Sequence, residues 1–168
     1  MRKLALFDRD GVINADKEYL HRIEDVEWIP GVFEIMARLK KEGYTIVVVT
    51  NQSGVARGYY SEQDVESLHQ WMAEEVRKHG GEISRFYYCP HLPGAPVSAY
   101  DKECECRKPK PGMILQALRE FNADAAQSFL IGDSQRDIDA AEQAGVRGIL
   151  FTGGRLDECI EKEWLDIS

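Results

Sequence analysis

Four short stretches hold residues whose types and spacing could do chemistry. Asp8-Arg9-Asp10-Gly11-Val12-Ile13-Asn14 sets two carboxylates two positions apart, directly after an apolar run. Gly11 lets the backbone turn so that both can face one pocket. One carboxylate of such a pair can attack while the other moves a proton; the same residues also suit a solvated acidic turn. Thr50-Asn51-Gln52-Ser53-Gly54 offers hydroxyls, amides and a flexible backbone, short donors suited to a phosphoryl group or to a polar turn. Arg107-Lys108-Pro109-Lys110-Pro111-Gly112 puts a planar cationic fork beside a point charge before a helix start, a phosphate grip or a solvated basic loop. Ile131-Gly132-Asp133-Ser134-Gln135-Arg136-Asp137 presents Asp133 to a hard cation such as Mg²⁺. Ser134 and Asp137 have the spacing of a helix N-cap pair, so Asp137 can serve the helix or the metal.

A fifth cluster has the composition of a metal site. Cys89-Pro90-His91 and Cys104-Glu105-Cys106 supply three thiolates and one imidazole, the closed tetrahedral donor set of structural zinc. The alternatives are two unrelated clusters or a disulfide from Cys89 to one of the others. Cys106 runs directly into Arg107 and Lys108, so a zinc ion on Cys89, His91, Cys104 and Cys106 would fix the segment that presents both cations. The fourth cysteine, Cys159, lies far from the cluster.

The elements that must position these groups alternate. Leu4 to Phe7, Tyr44 to Thr50, Ile83 to Cys89, Ser128 to Ile131 and Gly148 to Phe151 read as strands. Tyr44 to Thr50 is β-branched and uninterrupted, as in a strand covered on both faces. Between them come helical patterns. One starts at Pro30-Gly31 with Val32, Ile35, Met36 and Leu39 on one face and stops at Gly43. A second opens on a Ser61/Asp64 capping box and carries Val65, Leu68, Met72 and Val76. A third is opened by Pro111, a fourth runs from Ser134 to a stop at Gly145, and a weaker polar helix closes the chain. Such alternation predicts an α/β fold, a doubly wound, Rossmann-like parallel sheet that binds ligands beyond the carboxyl ends of its strands. The key groups of all four motifs fall in loops that follow successive strands. Pro90 to Lys110 breaks the pattern, and a loop of that length needs a reason.

Composition narrows the partners. The 168 residues are ordinary for one soluble globular domain, with 43% hydrophobic and 30% charged residues. A net charge of −8 and no basic stripe argue against nucleic acid, so any anion site must be local. No apolar run is long enough to span a bilayer, and the apolar start reaches Asp8 too soon for a signal peptide. The expectation is a cytoplasmic protein, with no membrane partner.

In this order the motifs resemble the haloacid dehalogenase superfamily of phosphotransferases, over most of the chain. The resemblance implies one such phosphatase domain over residues 1–168, without a large cap domain and with a zinc loop inserted at 89–106. It implies that Asp8 is the nucleophile of an aspartyl-phosphate intermediate and that Asp10 protonates the leaving oxygen and then activates water. Thr50 and Lys108 would hold the phosphoryl oxygens. Catalytic Mg²⁺ would bind Asp8, the Asp10 backbone carbonyl and Asp133, and Zn²⁺ would be structural.

With the zinc loop included, the set resembles the D-glycero-D-manno-heptose 1,7-bisphosphate 7-phosphatases; histidinol-phosphate phosphatases share much of it. Asp16-Lys17-Glu18-Tyr19 matches the sugar-contacting segment of the heptose family, and Ser53-Gly54 closes the second motif in its manner. The resemblance implies a small sugar bisphosphate of the nucleotide-activated heptose route, contacted by Asp16, Lys17, Glu18, Tyr19, Asn51, Gln52, Ser53 and Ser134, with Arg107 on the distal phosphate. The chain departs at Ser134, where that family often has a lysine; Lys110 or Arg136 could substitute. A monomer is expected. A phosphoacceptor signalling domain fits less well, because its acceptor aspartate ends the third strand, which here ends in Cys89. A non-catalytic zinc module would leave the acid pair, Thr50 and Asp133 without a shared purpose.

Overall fold

The computed structural model describes residues 1–167. Five strands, β1 (Lys3–Phe7), β2 (Tyr44–Asn51), β3 (Ile83–Cys89), β4 (Phe129–Gly132) and β5 (Arg147–Leu150), form one parallel sheet in the order β3-β2-β1-β4-β5. Helices α1 (Val32–Lys41), α2 (Glu62–Lys78), α3 (Gly112–Glu120), α4 (Gln135–Gln143) and α5 (Leu156–Ile160) connect and cover it. A π-helical turn, Glu161–Leu165, follows α5.

The pleat of β1 shows why both faces need cover. Ala5 and Phe7 join one core with Ile46, Val48 and Phe129 under α1, α2 and α5; Leu4 and Leu6 join another with Val47, Val49 and Leu130 under α3 and α4. α1 contributes Val32, Ile35, Met36 and Leu39, all buried, each favouring the fold by about 1.5–3 kcal/mol. Ser61 caps α2 through a reciprocal box with Asp64.

Strand order decides where a ligand can sit. From central β1 the chain builds outward to β2 and β3 on one side, then returns to β4 and β5 on the other. Connections leaving β1 and β4 therefore diverge, opening a crevice at their carboxyl ends. Asp8 follows β1, Thr50 and Asn51 end β2, Cys89 ends β3 and Asp133 follows β4. The long segment after β3 folds over this edge, held to α2 because Tyr88 and Tyr100 both donate to the Glu62 carboxylate, at 2.8 and 2.7 Å.

Candidate active site

A cleft of about 520 Å³ opens at this edge, lined by Asp8, Asp10, Thr50, Lys108 and Asp133 among others. The acid pair is placed by the turn after β1. Gly11 has φ +88°, and a Cβ there would collide with the Asp133 carboxylate, so the turn needs glycine twice over. Asp8 Oδ1 accepts from its neighbour's backbone, Arg9 N, at 2.9 Å and from Lys108 Nζ at 3.0 Å. Lys108 is buried, and its ammonium also donates to Asp137 Oδ1 at 2.6 Å and to the Val49 carbonyl at 3.1 Å, so all three protons are placed.

The carboxylates are crowded, with Asp8 and Asp137 buried and Asp133 more open to the cleft. Burial pushes the Asp8 carboxyl up to about 7, with Asp137 adding to the effect and Lys108 opposing it. Burial, then Asp137, also raises Asp133. The buried ammonium of Lys108 is held above its ordinary range: Asp8 and Asp137 outweigh the desolvation that works against it. Asp8, Asp133 and Asp137 each bring a carboxylate oxygen within 4.8 Å of the others. Asp137 is already committed, because Ser134 N and Ser134 Oγ both donate to its Oδ2, at 3.2 and 3.0 Å, and Lys108 holds its Oδ1. That leaves Asp8 and Asp133 as the pair a hard cation would relieve, and their oxygen donors fit Mg²⁺.

Asp10 is held from several sides. Arg9 grips both its oxygens, Asn14 Nδ2 donates to Oδ1 at 3.0 Å and Gln52 Nε2 to Oδ2 at 3.1 Å. The Gln52 amide also donates to Thr50 Oγ1 at 2.9 Å, and its carbonyl accepts from Tyr60 at 2.7 Å. Gln52 thus braces the catalytic edge from within while lining the cleft. Asn51 is similarly employed: its carbonyl oxygen accepts from Lys108 N at 3.0 Å and its amide donates to Lys108 O at 3.3 Å, pinning the lysine to β2.

Arg107 and Lys108 are presented from the cysteine cluster. The Sγ atoms of Cys89 and Cys106 are in contact, Cys104 Sγ lies 3.4 Å from both and His91 Nδ1 lies 3.8 and 3.5 Å from them. A disulfide uses two of these groups and gives the other two no reason to converge. A tetrahedral zinc with bonds of about 2.3 Å to sulfur puts its ligands roughly 3.7 Å apart, so the four residues fit the ion. Beyond the cluster, Gly112 N donates to the Glu105 carbonyl at 2.9 Å. A Cβ at Gly112 would strike that carbonyl, so the return of the loop is fitted closely to α3.

The rim is cationic. Arg57, Arg107 and Arg136 line the cleft beside Asp16, Glu18, Tyr19, Ser53 and Ser134. Arg107 Nη1 is buried without a partner among the described residues. Burial, then the charges of Arg136 and Arg57, hold the Arg107 guanidinium below its usual range, a tension that an anion would relieve. Lys110 is directed elsewhere, donating to the Cys104 carbonyl at 2.9 Å, so of the two cations considered beside Ser134 it is Arg136 that reaches the cleft. Lys17 is exposed and outside the lining, whereas its neighbours Glu18 and Tyr19 line the cleft with φ of 48° and 63°. Such left-handed backbone at bulky residues is strained and gathers at ligand clamps. Arg57 and Tyr60 carry no sequence signal beyond following the second motif. Arg57 lies over the Tyr19 ring, 5.6 Å from its centroid.

Residues 105–164 match the family model described as HAD-hydrolase-like. The chain is 47% identical over 151 residues to a D-glycero-beta-D-manno-heptose-1,7-bisphosphate 7-phosphatase of Photorhabdus laumondii, covering 89% of this chain and 80% of that one. The chain belongs to the heptose-bisphosphate phosphatase family of haloacid dehalogenase-like hydrolases. A second P. laumondii family member, named for the alpha anomer, is 43% identical over 86% of this chain and 79% of its own. The solved structure of the D,D-heptose 1,7-bisphosphate phosphatase from B. bronchiseptica, complexed with magnesium and phosphate, superposes with a TM-score of 0.81 at 34% identity, covering 96% of this chain and 87% of that one. Among the described residues no helix is long and apolar enough to cross a membrane.

Proposed function

We propose that this phosphatase removes the 7-phosphate of D-glycero-D-manno-heptose 1,7-bisphosphate through an aspartyl phosphate on Asp8, in a single domain. One observation carries the reading: a nucleophile, a proton carrier and a buried lysine meet at the crevice, and three arginines stand at its rim. The first set serves the phosphate that leaves, the second the phosphate that stays. Asp8 attacks phosphorus as the bond to the sugar oxygen breaks, and Asp10 gives that oxygen its proton. Asp10 then takes a proton from water, whose oxygen attacks phosphorus and frees Asp8. Lys108 and Thr50 lie against the same edge to meet the phosphoryl oxygens, where preorganised charge contributes most. Mg²⁺ held by Asp8, the Asp10 carbonyl and Asp133 would neutralise phosphoryl charge against the carboxylate that attacks it. Zn²⁺ on Cys89, His91, Cys104 and Cys106 would hold Arg107 and Lys108 in place, and reduced thiols suit a cytoplasmic setting.

Arg107, flanked by the exposed Arg57 and Arg136, favours a bisphosphate over a monophosphate, because a substrate lacking the second phosphate leaves its buried Nη1 unpaired. Asp16, Glu18 and Ser53 can accept from or donate to sugar hydroxyls. Phosphate release should be measured with both anomers of heptose 1,7-bisphosphate, fructose 1,6-bisphosphate and histidinol phosphate. The highest kcat/KM is expected for one heptose anomer; a preference for histidinol phosphate would overturn the substrate assignment.

A further inference from the structure

Arg9 is fully buried, an uncommon place for a guanidinium. Its Nε donates to Asp10 Oδ1 at 3.2 Å, and its Nη2 reaches Asp10 Oδ1 and Oδ2 at 3.1 and 3.2 Å, the Leu20 carbonyl at 3.0 Å and Gln52 Oε1 at 3.3 Å. Among the described residues Nη1 has one partner, His69 Nε2 at 3.1 Å. Arginine carries only donors, so Nε2 must be the acceptor and the ring is neutral with its proton on Nδ1. Burial, reinforced by the charge of Arg9, holds the His69 pKa well below its ordinary value, in keeping with that state. The ring is clamped from outside the site. It stacks on Phe86, with centroids 4.2 Å apart and planes 13° apart, and meets Tyr88 edge-on at 6.0 Å. Its backbone sits within α2, and both aromatic neighbours are on β3.

Arg9 and Asp10 are adjacent on one turn. Gln52, Asn14 and the Leu20 carbonyl hold parts of the pair, but all approach Nη2 or the carboxylate and leave Nη1 to His69. That acceptor is anchored on a separate helix. Packing alone does not call for an imidazole here, since an apolar ring would stack on Phe86 without the cost of facing a cation.

We propose that His69 is a positioning residue for the proton-transferring carboxylate: through Nε2 it fixes the Arg9 guanidinium that holds both oxygens of Asp10. The inference rests on Asp10 serving as acid and base in the phosphatase reaction. It separates two kinds of ester. A sugar alkoxide must be protonated as it leaves, whereas p-nitrophenolate departs without a proton, so only the first needs Asp10 placed for the step that kcat/KM reports.

The test compares His69→Phe, which keeps the stacked ring and loses the acceptor, with His69→Gln, whose carbonyl can accept the same N–H. For His69→Phe, kcat/KM on heptose 1,7-bisphosphate should fall roughly tenfold or more, part of the 10²–10⁴ that a placed proton donor supplies, while p-nitrophenyl phosphate loses less than about twofold. His69→Gln should recover most of the loss. Equal losses on both esters, or none on either, would overturn the proposal. Should His69→Phe not fold, ¹⁵N shifts of the wild-type imidazole decide: a bare Nε2 with a protonated Nδ1 is expected, and a protonated Nε2 contradicts it. Asp10→Asn separates the two levels. Its inactivity on the sugar substrate beside an unimpaired His69→Phe overturns this inference alone, whereas its retained activity overturns the role of Asp10 and the inference with it.

Discussion

Asp8, the proposed nucleophile, occupies a site where burial makes its charge costly, and that links cation binding to pH. With a carboxyl pKa pushed up to about 7, Asp8 must give up its proton before it can bind a cation. Mg²⁺ affinity should therefore rise about tenfold per pH unit below that value and level off above it, where the group is already ionised. Calorimetric titration across this range checks the slope, and Asp8→Asn should abolish both the slope and turnover. The distal rim acts separately. Arg107→Ala should raise KM for the bisphosphate about tenfold or more, the worth of a charge-assisted contact, while p-nitrophenyl phosphate kinetics stay nearly unchanged. Asp8, Asp10, Thr50 and Asp133 were legible as residues because each sits at or just past the end of an apolar run, and Lys108 because it follows the cysteine pair beside Arg107. Arg57 and His69 were not, since their contacts to Tyr19 and Arg9 join segments far apart in sequence, and Tyr60 was not, since only the packed loop turns it back onto Gln52.

At the scale of elements, strand identity followed from short apolar runs between helical patterns, β-branched at Tyr44 to Thr50, and every expected strand lies within a residue of its place. The segment after β3 was recognisable only as a departure from that rhythm. Its spacing pointed to four candidate ligands, but not to the grip of Asn51 on Lys108 or the fit of Gly112 against Glu105. The Cys104→Ser/Cys106→Ser protein should lose one equivalent of zinc per chain by metal analysis and about 10–100-fold in kcat, as when groups supporting a site are removed, with most helical circular dichroism kept. Full turnover in that protein would show that the loop does not position Lys108. Asp137 links α4 to the same lysine. Asp137→Ala removes a helix cap and one partner of a buried ion pair, and should lower unfolding stability by about 3 kcal/mol or more in denaturant titration.

Across the whole molecule, strand order does the assembling. With β1 central and β4 beside it, groups a hundred residues or more apart reach one crevice, among them Asp8 and Lys108, whose contact spans 100 residues. The alternation of strands and helices forecast a doubly wound sheet, but periodicity is local and does not give the order of strands; the crevice between β1 and β4 is a property of the packed sheet. In the proposed function the cleft has two chemical ends, one to transfer a phosphoryl group and one to hold a phosphate. The most direct test of that division is to follow heptose 1,7-bisphosphate by ³¹P NMR in the presence of enzyme and Mg²⁺. The account predicts that the 7-phosphomonoester signal gives way to inorganic phosphate while the anomeric phosphate persists, and that Asp8→Asn stops the change. Loss of the anomeric phosphate first, or unaltered turnover in Asp8→Asn, would contradict it.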